Sequence, residues 1–409
     1  MLENSPQNIH DEEFMRRALE LATETIGLAS PNPQVGCVIT QAPQEGGTPK
    51  IIGEGAHLYD NRDHAEIVAL KQAATRGRST KGATAYVTLE PCSHHGRTPP
   101  CANALIAAGI ARCVIATQDP NPKVSGQGIQ RLRDANVEVT LGVLQQPARD
   151  LNEAFAHFIQ HQTPFVTLKA ALSADGKLAP LPASRYPNQP HWLTGPAARH
   201  QVQLLRHGSD AVLTGIGTVL ADDPQLTDRS GILGSNNLPR RRRLLRVVLD
   251  THLRIPLDSQ LVRSVANAQA PTRAPGNESD LLILCGSSAA PAKAAALGLL
   301  NVEVDQVPDH NGRLSLPAVL SALAERDILS VLLECGSHLN GAFLRQNLVD
   351  KAILFYSETR LGEQAIPFAE GISSPQVLEQ SLRHLTRTTY GPDTCLTGYV
   401  HNPWPNSQA

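Results

Sequence analysis

The feature that most constrains this chain is an alternation of strand-like and helix-like runs that starts twice. From Ala83 it reads ATAYVTLE, CANALIAAG, RCVIATQDP, GIQRLRDAN and VEVTLGVL. Runs rich in Val, Ile, Tyr and Thr separated by alanine- or leucine-patterned segments are the sequence form of a sheet covered by helices. Ahead of them stand VGCVIT and KIIGEGAH, two strand candidates divided by a polar Gly/Pro stretch, and the helix-like HAEIVALKQAATRG. The first helix is expected over residues 11–26, where Phe14, Ala18, Ala22 and Ile26 fall at helical spacing behind Asp11, a candidate N-cap.

The helical connection ARDLNEAFAHFIQHQ ends at Pro164, and the alternation then begins again with FVTLKAALSADGK. Strands are expected at DAVLTGIG, LLRVVLD, LLILCG, VEVDQV, SVLLECG and KAILFYSE, with helices at PAARHQVQLLRHG, LPAVLSALAERD and LNGAFLRQNL. At 409 residues the chain exceeds what one hydrophobic core holds together, so two α/β domains are expected, residues 1–155 and 156–409, with the boundary near 150–163. RSGILGSNNLPRRRR and ANAQAPTRAPGNESD are polar and rich in Gly, Pro, Asn and Arg, and read as surface loops with the four-arginine run solvated.

With 36 basic against 38 acidic residues, the chain as a whole carries no field to gather nucleic acid or an anionic membrane. An enzyme acting on flipped bases of nucleic acid would need a basic groove bearing aromatics, and only 4% of the residues are aromatic. MLENSPQNIHDEEF lacks the basic start and apolar run of a secretory signal, and no stretch of about 18 apolar residues occurs, so a cytoplasmic protein is expected. Seven scattered cysteines, an odd number in a long chain, point to reduced thiols rather than a disulfide framework.

LEPCSHHGRTPPC, residues 89–101, sets two histidines between two cysteines. A hydrolytic zinc site commonly has three protein ligands, an open position for water and a general base beside it. Cys92 and Cys101 offer two thiolates. His64 of RDHAEIVAL is the third candidate, because Glu66 stands two residues further on and an apolar helix follows. Inside a helix, residues i and i+2 point about 200° apart, but at a helix N-terminus both can converge on a metal lying off the end. Pro99-Pro100 likewise bars any helix before Cys101, so CANALIAAG begins there. Two helix N-termini then face one metal, and their positive ends favour thiolates. On this reading His94 and His95 need not be ligands. The competing reading, a structural zinc clip or ordinary buried thiols, requires neither Glu66 nor an open position.

His-x-Glu followed by Pro-Cys and a further Cys resembles the signature of zinc nucleobase deaminases, in which the Glu is the acid/base and not a ligand. Eight residues separate Cys92 from Cys101, where cytidine-type enzymes usually have two. PCSHHGRTPPC with that longer gap, together with SPNPQVGCVI and ATQDPNPKVSGQG, closely resembles the deaminase half of the bifunctional riboflavin-biosynthesis deaminase–reductases. The resemblance implies a cytidine-deaminase-like helix-covered sheet in which one zinc is held by His64, Cys92 and Cys101. It further implies that Glu66 shuttles protons from water to the departing ammonia, and that Asn32, His57, His94 and Arg97 line the substrate pocket. DNRDHAE departs from the family, which usually has a small or Gly-containing turn before HAE; Asn61, Arg62 and Asp63 stand there instead.

The second half has no G-x-G-x-x-G, which excludes a Rossmann fingerprint. FVTLKAALSADGKLA, HWLTGPAARHQVQLLR, TVLADDPQLT and LECGSHLNGAFL occur here in the order of the same family's reductase half. That resemblance implies a dihydrofolate-reductase-like α/β domain using NADPH. It places Lys169, Arg206, Leu226, Arg229 and Glu334 on the substrate side. Leu172, Trp192, Thr194, Thr218, Thr251, Gly336 and Ser337 fall on the cofactor side. Asp222 belongs to both, as the acid that manages a proton, with Asp223 as the turn residue of Asp-Asp-Pro. Arg206 and Arg229 suit a ribose phosphate because guanidinium presents paired donors. The implied substrate is a small phosphoribosylamino-pyrimidine, with no nucleic acid or membrane partner and with a homo-oligomer left open. LAPLPASRYPNQPH, residues 178–191, is longer than the family's usual link, with Pro190 where a small hydroxyl residue commonly stands.

Overall fold

A computed structural model of the chain describes residues 6–42, 47–93, 100–181, 192–266 and 279–404, with side chains from His10 onward. These form two compact units. The first comprises the chain up to His161 together with Leu233–Arg241 and Trp404, and the second comprises the remainder.

The first unit is built on a five-stranded sheet: β1 (Gly36–Gln41), β2 (Lys50–Ala56), β3 (Thr84–Val87), β4 (Arg112–Ile115) and β5 (Glu138–Leu141), in the order β2-β1-β3-β4-β5. The β1 strand runs antiparallel to β2 and β3, whereas β3, β4 and β5 are parallel. Period-two burial divides the side chains between two cores. Cys37, Ile39, Ala85, Val87, Cys113 and Ile115 pack with residues of α2 (Ala65–Thr75), α3 (Cys101–Ala107) and α4 (Gln127–Asp134). Their neighbours Val38, Tyr86 and Val114 face the other way, against α1 (Pro6–Thr23) and Ala148 of α5 (Gln145–Leu151). The connection expected before Pro164 is two helices, α5 and α6 (Glu153–His161).

The second unit carries a nine-stranded sheet. In spatial order its strands are Glu303–Gln306, Leu281–Cys285, Leu245–Leu249, Ala211–Gly215, Ser330–Leu333, Phe165–Leu172, Lys351–Tyr356, Asp393–Tyr399 and Arg383–Tyr390. The first seven are parallel to their neighbours and the last two antiparallel. Apolar cores cover both faces, one led by Leu168, Leu213, Val331 and Phe343 and the other by Val212, Val248, Ile283 and Leu297. Burial on both faces explains why these strands read as continuous apolar runs. Among the described residues no helix is long and apolar enough to cross a membrane.

Two local expectations are corrected. Helix α1 starts five residues before Asp11 and ends at Thr23 rather than at Ile26. Asp11 is therefore not an N-cap. It is buried in the helix interior, where Arg112 donates to both of its oxygens at 2.7 Å and the Tyr86 hydroxyl at 3.1 Å, which offsets the desolvation of a carboxylate there. The four-arginine run is not simply solvated. The Arg241 guanidinium lies 3.8 Å from the centre of the Tyr59 ring and donates to Asp60, and Arg242 donates to the carbonyls of Arg326 and Asp327. Most of the second polar loop, residues 267–278, lies outside the described residues, as does 182–191 of the Pro-rich link with its Pro190.

Candidate active sites

In the first unit the chain brings together one imidazole and two thiols. His64 caps α2 in an extended conformation and Cys101 is the first residue of α3, so both helices direct their N-terminal ends at the same point. Cys92 follows β3 on an irregular segment that is tied to α3: the backbone N–H of Cys101 donates to Cys92 Sγ at 3.3 Å, and that of Ala102 to the Cys92 carbonyl at 3.1 Å. His64 Nδ1 lies 3.2 Å from Cys101 Sγ and 3.6 Å from Cys92 Sγ, and all three ligand atoms lie within 4.8 Å of one another. Glycine makes the approach of α2 possible: a Cβ at Gly55 of β2 would stand 2.4 Å from the Ala65 carbonyl.

The electrostatics suit a cation. The Cys92 thiol falls to about 4, chiefly because the Cys101 thiol hydrogen-bonds to it, with His64 adding to the effect. The same interaction, with burial, pushes Cys101 well up, so the pair shares one proton. His64 is raised, above all by Cys92. Glu66, on the first turn of α2, is only 3% exposed, and burial pushes its carboxyl up to about 7. An imidazole and two thiols gathered at two helix N-termini form a donor set that zinc prefers, and three ligands leave a fourth position open. A dication there would draw off the shared proton, because metals bind thiolate.

Asn32 and His57 stand beside this set. Asn32 Nδ2 is 2.9 Å from His57 Nε2, His57 Nδ1 is 2.8 Å from the Asp63 carbonyl, and the His57 ring meets His64 edge-on at 5.3 Å between centres. Burial lowers the His57 value, so the ring is neutral at physiological pH and one nitrogen donates while the other accepts. The unusual Asp63 thus takes part through its backbone, and its carboxylate pairs with Lys71. His94 and Arg97 lie outside the described residues.

One residue the sequence reading passed over is Glu90, directly before Pro91-Cys92. Its buried carboxylate accepts from the backbone N–H groups of Asp119, Gly126, Gly128 and Ile129 at 2.8–3.2 Å, tying the segment that carries Cys92 to the DPNPKVSGQG turn. A signal was available: a carboxylate closing the apolar run AYVTLE needs donors, and the glycine-rich start of a helix supplies them.

In the second unit the expected residues gather along the carboxyl ends of four adjacent parallel strands, where ligands bind in open α/β sheets. Leu172 ends one strand, Thr218 and Thr251 follow the ends of two others, and Gly336 and Ser337 follow the fourth. A Cβ on Gly336 would lie 3.9 Å from Thr218 Oγ1, so these two face each other with space between. Ser337 opens the helix Ser337–Arg345 with a buried hydroxyl that has no hydrogen-bond partner, which fits a polar ligand at that helix start. The Leu172 side chain is inside the core, and its carbonyl accepts from the Ser357 N–H at 2.8 Å. Thr251 offers its carbonyl to the Gly286 N–H.

On the substrate side, Arg206 Nε and Nη2 donate to Glu334 at 2.7 and 3.0 Å, and Lys169 Nζ lies 3.7 Å from the same carboxylate. All three are largely buried. Burial pushes Lys169 down; burial alone would push Glu334 up, but Arg206 and Lys169 overcome it and hold the carboxyl below its ordinary value. Arg206 Nη1 donates to the Thr227 carbonyl, which links this group to Leu226, buried at φ 53°, and to the exposed Arg229. With its donors directed at Glu334 and Thr227, Arg206 is built into the wall, whereas Arg229 is open to an anion. Asp222 is exposed at the end of the helix Ile216–Asp222, and Asp223 turns the chain with φ 37°. Trp192 is 62% exposed with Arg199 over its ring, and Thr194 is buried beside it. A cavity of about 400 Å³ opens nearby, but its lining, including Ser357, Glu358, Glu379 and Arg387, contains none of the expected residues.

A helix-covered sheet with a His/Cys/Cys set and a buried carboxylate, joined to a parallel-sheet unit with polar residues gathered at its strand ends, fits a two-unit enzyme of hydrolytic deaminase and reductase type. Residues 8–117 match the cytidine and deoxycytidylate deaminase zinc-binding region, and residues 164–396 match the RibD C-terminal domain. The riboflavin biosynthesis protein RibD of Escherichia coli is 38% identical over 95% of this chain and 99% of its own length. A solved structure of Acinetobacter baumannii RibD superposes with a TM-score of 0.75 at 34% identity, covering 96% of this chain and 99% of its own. A Thermotoga maritima diaminohydroxyphosphoribosylaminopyrimidine deaminase/5-amino-6-(5-phosphoribosylamino)uracil reductase gives a TM-score of 0.73 at 32% identity, with the same coverage. The chain belongs to the RibD family, the bifunctional deaminase–reductases of riboflavin biosynthesis.

Proposed function

We propose that the first unit hydrolyses the exocyclic amine of diaminohydroxyphosphoribosylaminopyrimidine and that the second reduces the ribosyl chain of the resulting aminouracil. The observation that carries the first half is the meeting of His64, Cys92 and Cys101 within 4.8 Å beside the buried Glu66. His64, Cys92 and Cys101 would hold zinc, which when bound brings the pKa of its water to about 7. Glu66 takes a proton from the attacking water on its carboxylate and gives it to the exocyclic amine nitrogen, so that the bond from the ring carbon to that nitrogen breaks, a C–O bond replaces it, and ammonia leaves. A carboxyl that burial holds near 7 is matched to both halves of that transfer. The Asn32–His57 pair presents amide and imidazole groups to orient the pyrimidine.

In the second unit Thr218, Thr251, Gly336 and Ser337 would seat NADPH, which when bound supplies a hydride. Asp222 provides the proton that accompanies it, Arg229 meets the phosphate, and Lys169 with Glu334 forms a polar floor. A homo-oligomer belongs to the same reading: the strand Arg383–Tyr390 ends the sheet and is exposed almost throughout, and light scattering on the purified protein tests for one. Purified protein given the pyrimidine and NADPH should release ammonia and then consume NADPH, and a zinc chelator should stop the first step. Ammonia release unaffected by complete zinc removal would overturn the deaminase assignment.

A further inference from the structure

The segment Leu233–Arg241 lies in sequence between two strands of the second unit, yet it is part of the first. Its backbone is tied to the turn that follows α1: the Ser235 N–H donates to the Glu24 carbonyl at 2.8 Å and the Arg241 N–H to the Gly27 carbonyl at 2.9 Å. The contact is close enough to require glycine, because a Cβ on Gly234 would stand 2.6 Å from the Glu24 carbonyl.

The Arg241 side chain then spans two turns. Its guanidinium donates to the Ser30 carbonyl at 3.2 Å on one turn, and on the other it donates to Asp60 at 2.9 Å and covers the Tyr59 ring. These turns lead directly into the two substrate-side residues of the deaminase site, since Asn32 lies two residues after Ser30 and His57 two before Tyr59. The Asn32–His57 hydrogen bond joins the same two turns from within. Backbone bonds also join these stretches: Tyr59 N–H to Leu28 carbonyl at 3.2 Å and His57 N–H to Val35 carbonyl at 3.0 Å.

We propose that Arg241 is a positioning residue for deamination: a strut, contributed by a stretch of chain that follows the first reductase motifs, which sets the spacing between Asn32 and His57. This rests on the deaminase reading of the first unit. An arginine suits the position because its planar fork can donate to two acceptors while its face stacks on an aromatic ring, which lysine cannot reproduce. The deaminase pocket is then not encoded by residues 1–161 alone.

The test is steady-state deamination by the full-length protein, as wild type and as Arg241→Ala, Arg241→Lys and Tyr59→Leu variants, with zinc content and NADPH-dependent reduction of the separately supplied aminouracil measured on each sample. Loss of positioning removes ground-state contacts, so Arg241→Ala should raise KM about tenfold with a smaller change in kcat. Zinc should stay at one per chain and reduction at the wild-type rate. Arg241→Lys should recover part of the KM, because it keeps the charge beside Asp60 and loses the stacking. Tyr59→Leu, which removes the stacking partner and leaves the arginine, should raise KM in the same sense and stands in if Arg241→Ala fails to fold. A KM within twofold of wild type in a folded Arg241→Ala protein, or in Tyr59→Leu should the former not fold, overturns the inference. So does a loss confined to zinc content or kcat. A wild-type protein that bound zinc and released no ammonia would instead refute the deaminase reading itself.

Discussion

Replacing Glu334 by Gln removes the one carboxylate that Arg206 and Lys169 share. Arg206 makes a two-pronged contact to it at 2.7 and 3.0 Å, and Lys169 stands 3.7 Å away. Glutamine keeps the volume and one acceptor oxygen but leaves two cations facing each other in a site where side-chain exposure is only 10% for Arg206 and 14% for Lys169. Breaking a buried pair in this way typically costs about 3–5 kcal/mol. The lysine sets a ceiling on its own share, because it can shed its proton instead. Moving from its ordinary 10.5 to pH 7 at about 1.36 kcal/mol per unit amounts to roughly 5 kcal/mol. For a unit of this size that corresponds to a thermal midpoint lowered by about 6–20 °C. Differential scanning calorimetry at pH 7 measures it directly, with Lys169→Met/Glu334→Gln as the companion: removing one stranded cation should restore part of the loss. A single variant whose midpoint falls by less than about 3 °C would show that water reaches the triad and that the buried-network reasoning is wrong.

Other outcomes follow from the same structure. Cys92→Ser should abolish stoichiometric zinc, whereas His95→Ala should keep it, as read by metal analysis of dialysed protein. Because Glu334 titrates below the ordinary 4.5 in the folded state, the unfolded chain takes up its proton first on acidification. Its stabilisation is therefore complete above that value and is lost as the pH falls through the lowered folded one. Midpoints measured across that acid range should fall with pH in wild type and fall less steeply in Glu334→Gln. Glu90→Ala strands the four backbone donors of the 119–129 turn, at about 1–3 kcal/mol for each unsatisfied group that water cannot reach. It should lower both zinc affinity and the first unit's midpoint; unchanged zinc affinity would show that Cys92 is held independently of that turn.

The residues legible in the sequence were those whose chemistry is tied to a local rule. His64 and Cys101 could be placed at helix starts because an apolar helix follows one and Pro99-Pro100 precedes the other, and the structure sets both at N-termini. The parallel strands of the second unit were legible as apolar runs because both of their faces are buried. What local pattern could not show were pairings over long separations. Asp11 looked like a cap until Arg112, 101 residues away, supplied its partner. The arginine run looked solvated because nothing near it in sequence reveals Tyr59 and Asp60, and nothing near Arg206 reveals its partner Glu334, 128 residues on. Charge placement depends on tertiary partners, and one sequence does not display them.

The central claim, two separate active sites in one chain, is tested most directly by a reciprocal pair of variants in the full-length protein. Glu66→Gln preserves size and polarity but removes the proposed proton shuttle, and a general acid–base group typically contributes about 10²–10⁴-fold. Ammonia release should therefore collapse by that factor, while reduction of separately supplied aminouracil stays near wild type. Asp222→Asn should give the reverse, with ammonia still released and NADPH no longer consumed. If Glu66→Gln, folded and with its full zinc, lost both activities together, the two-site account would be contradicted and a single shared site would have to replace it.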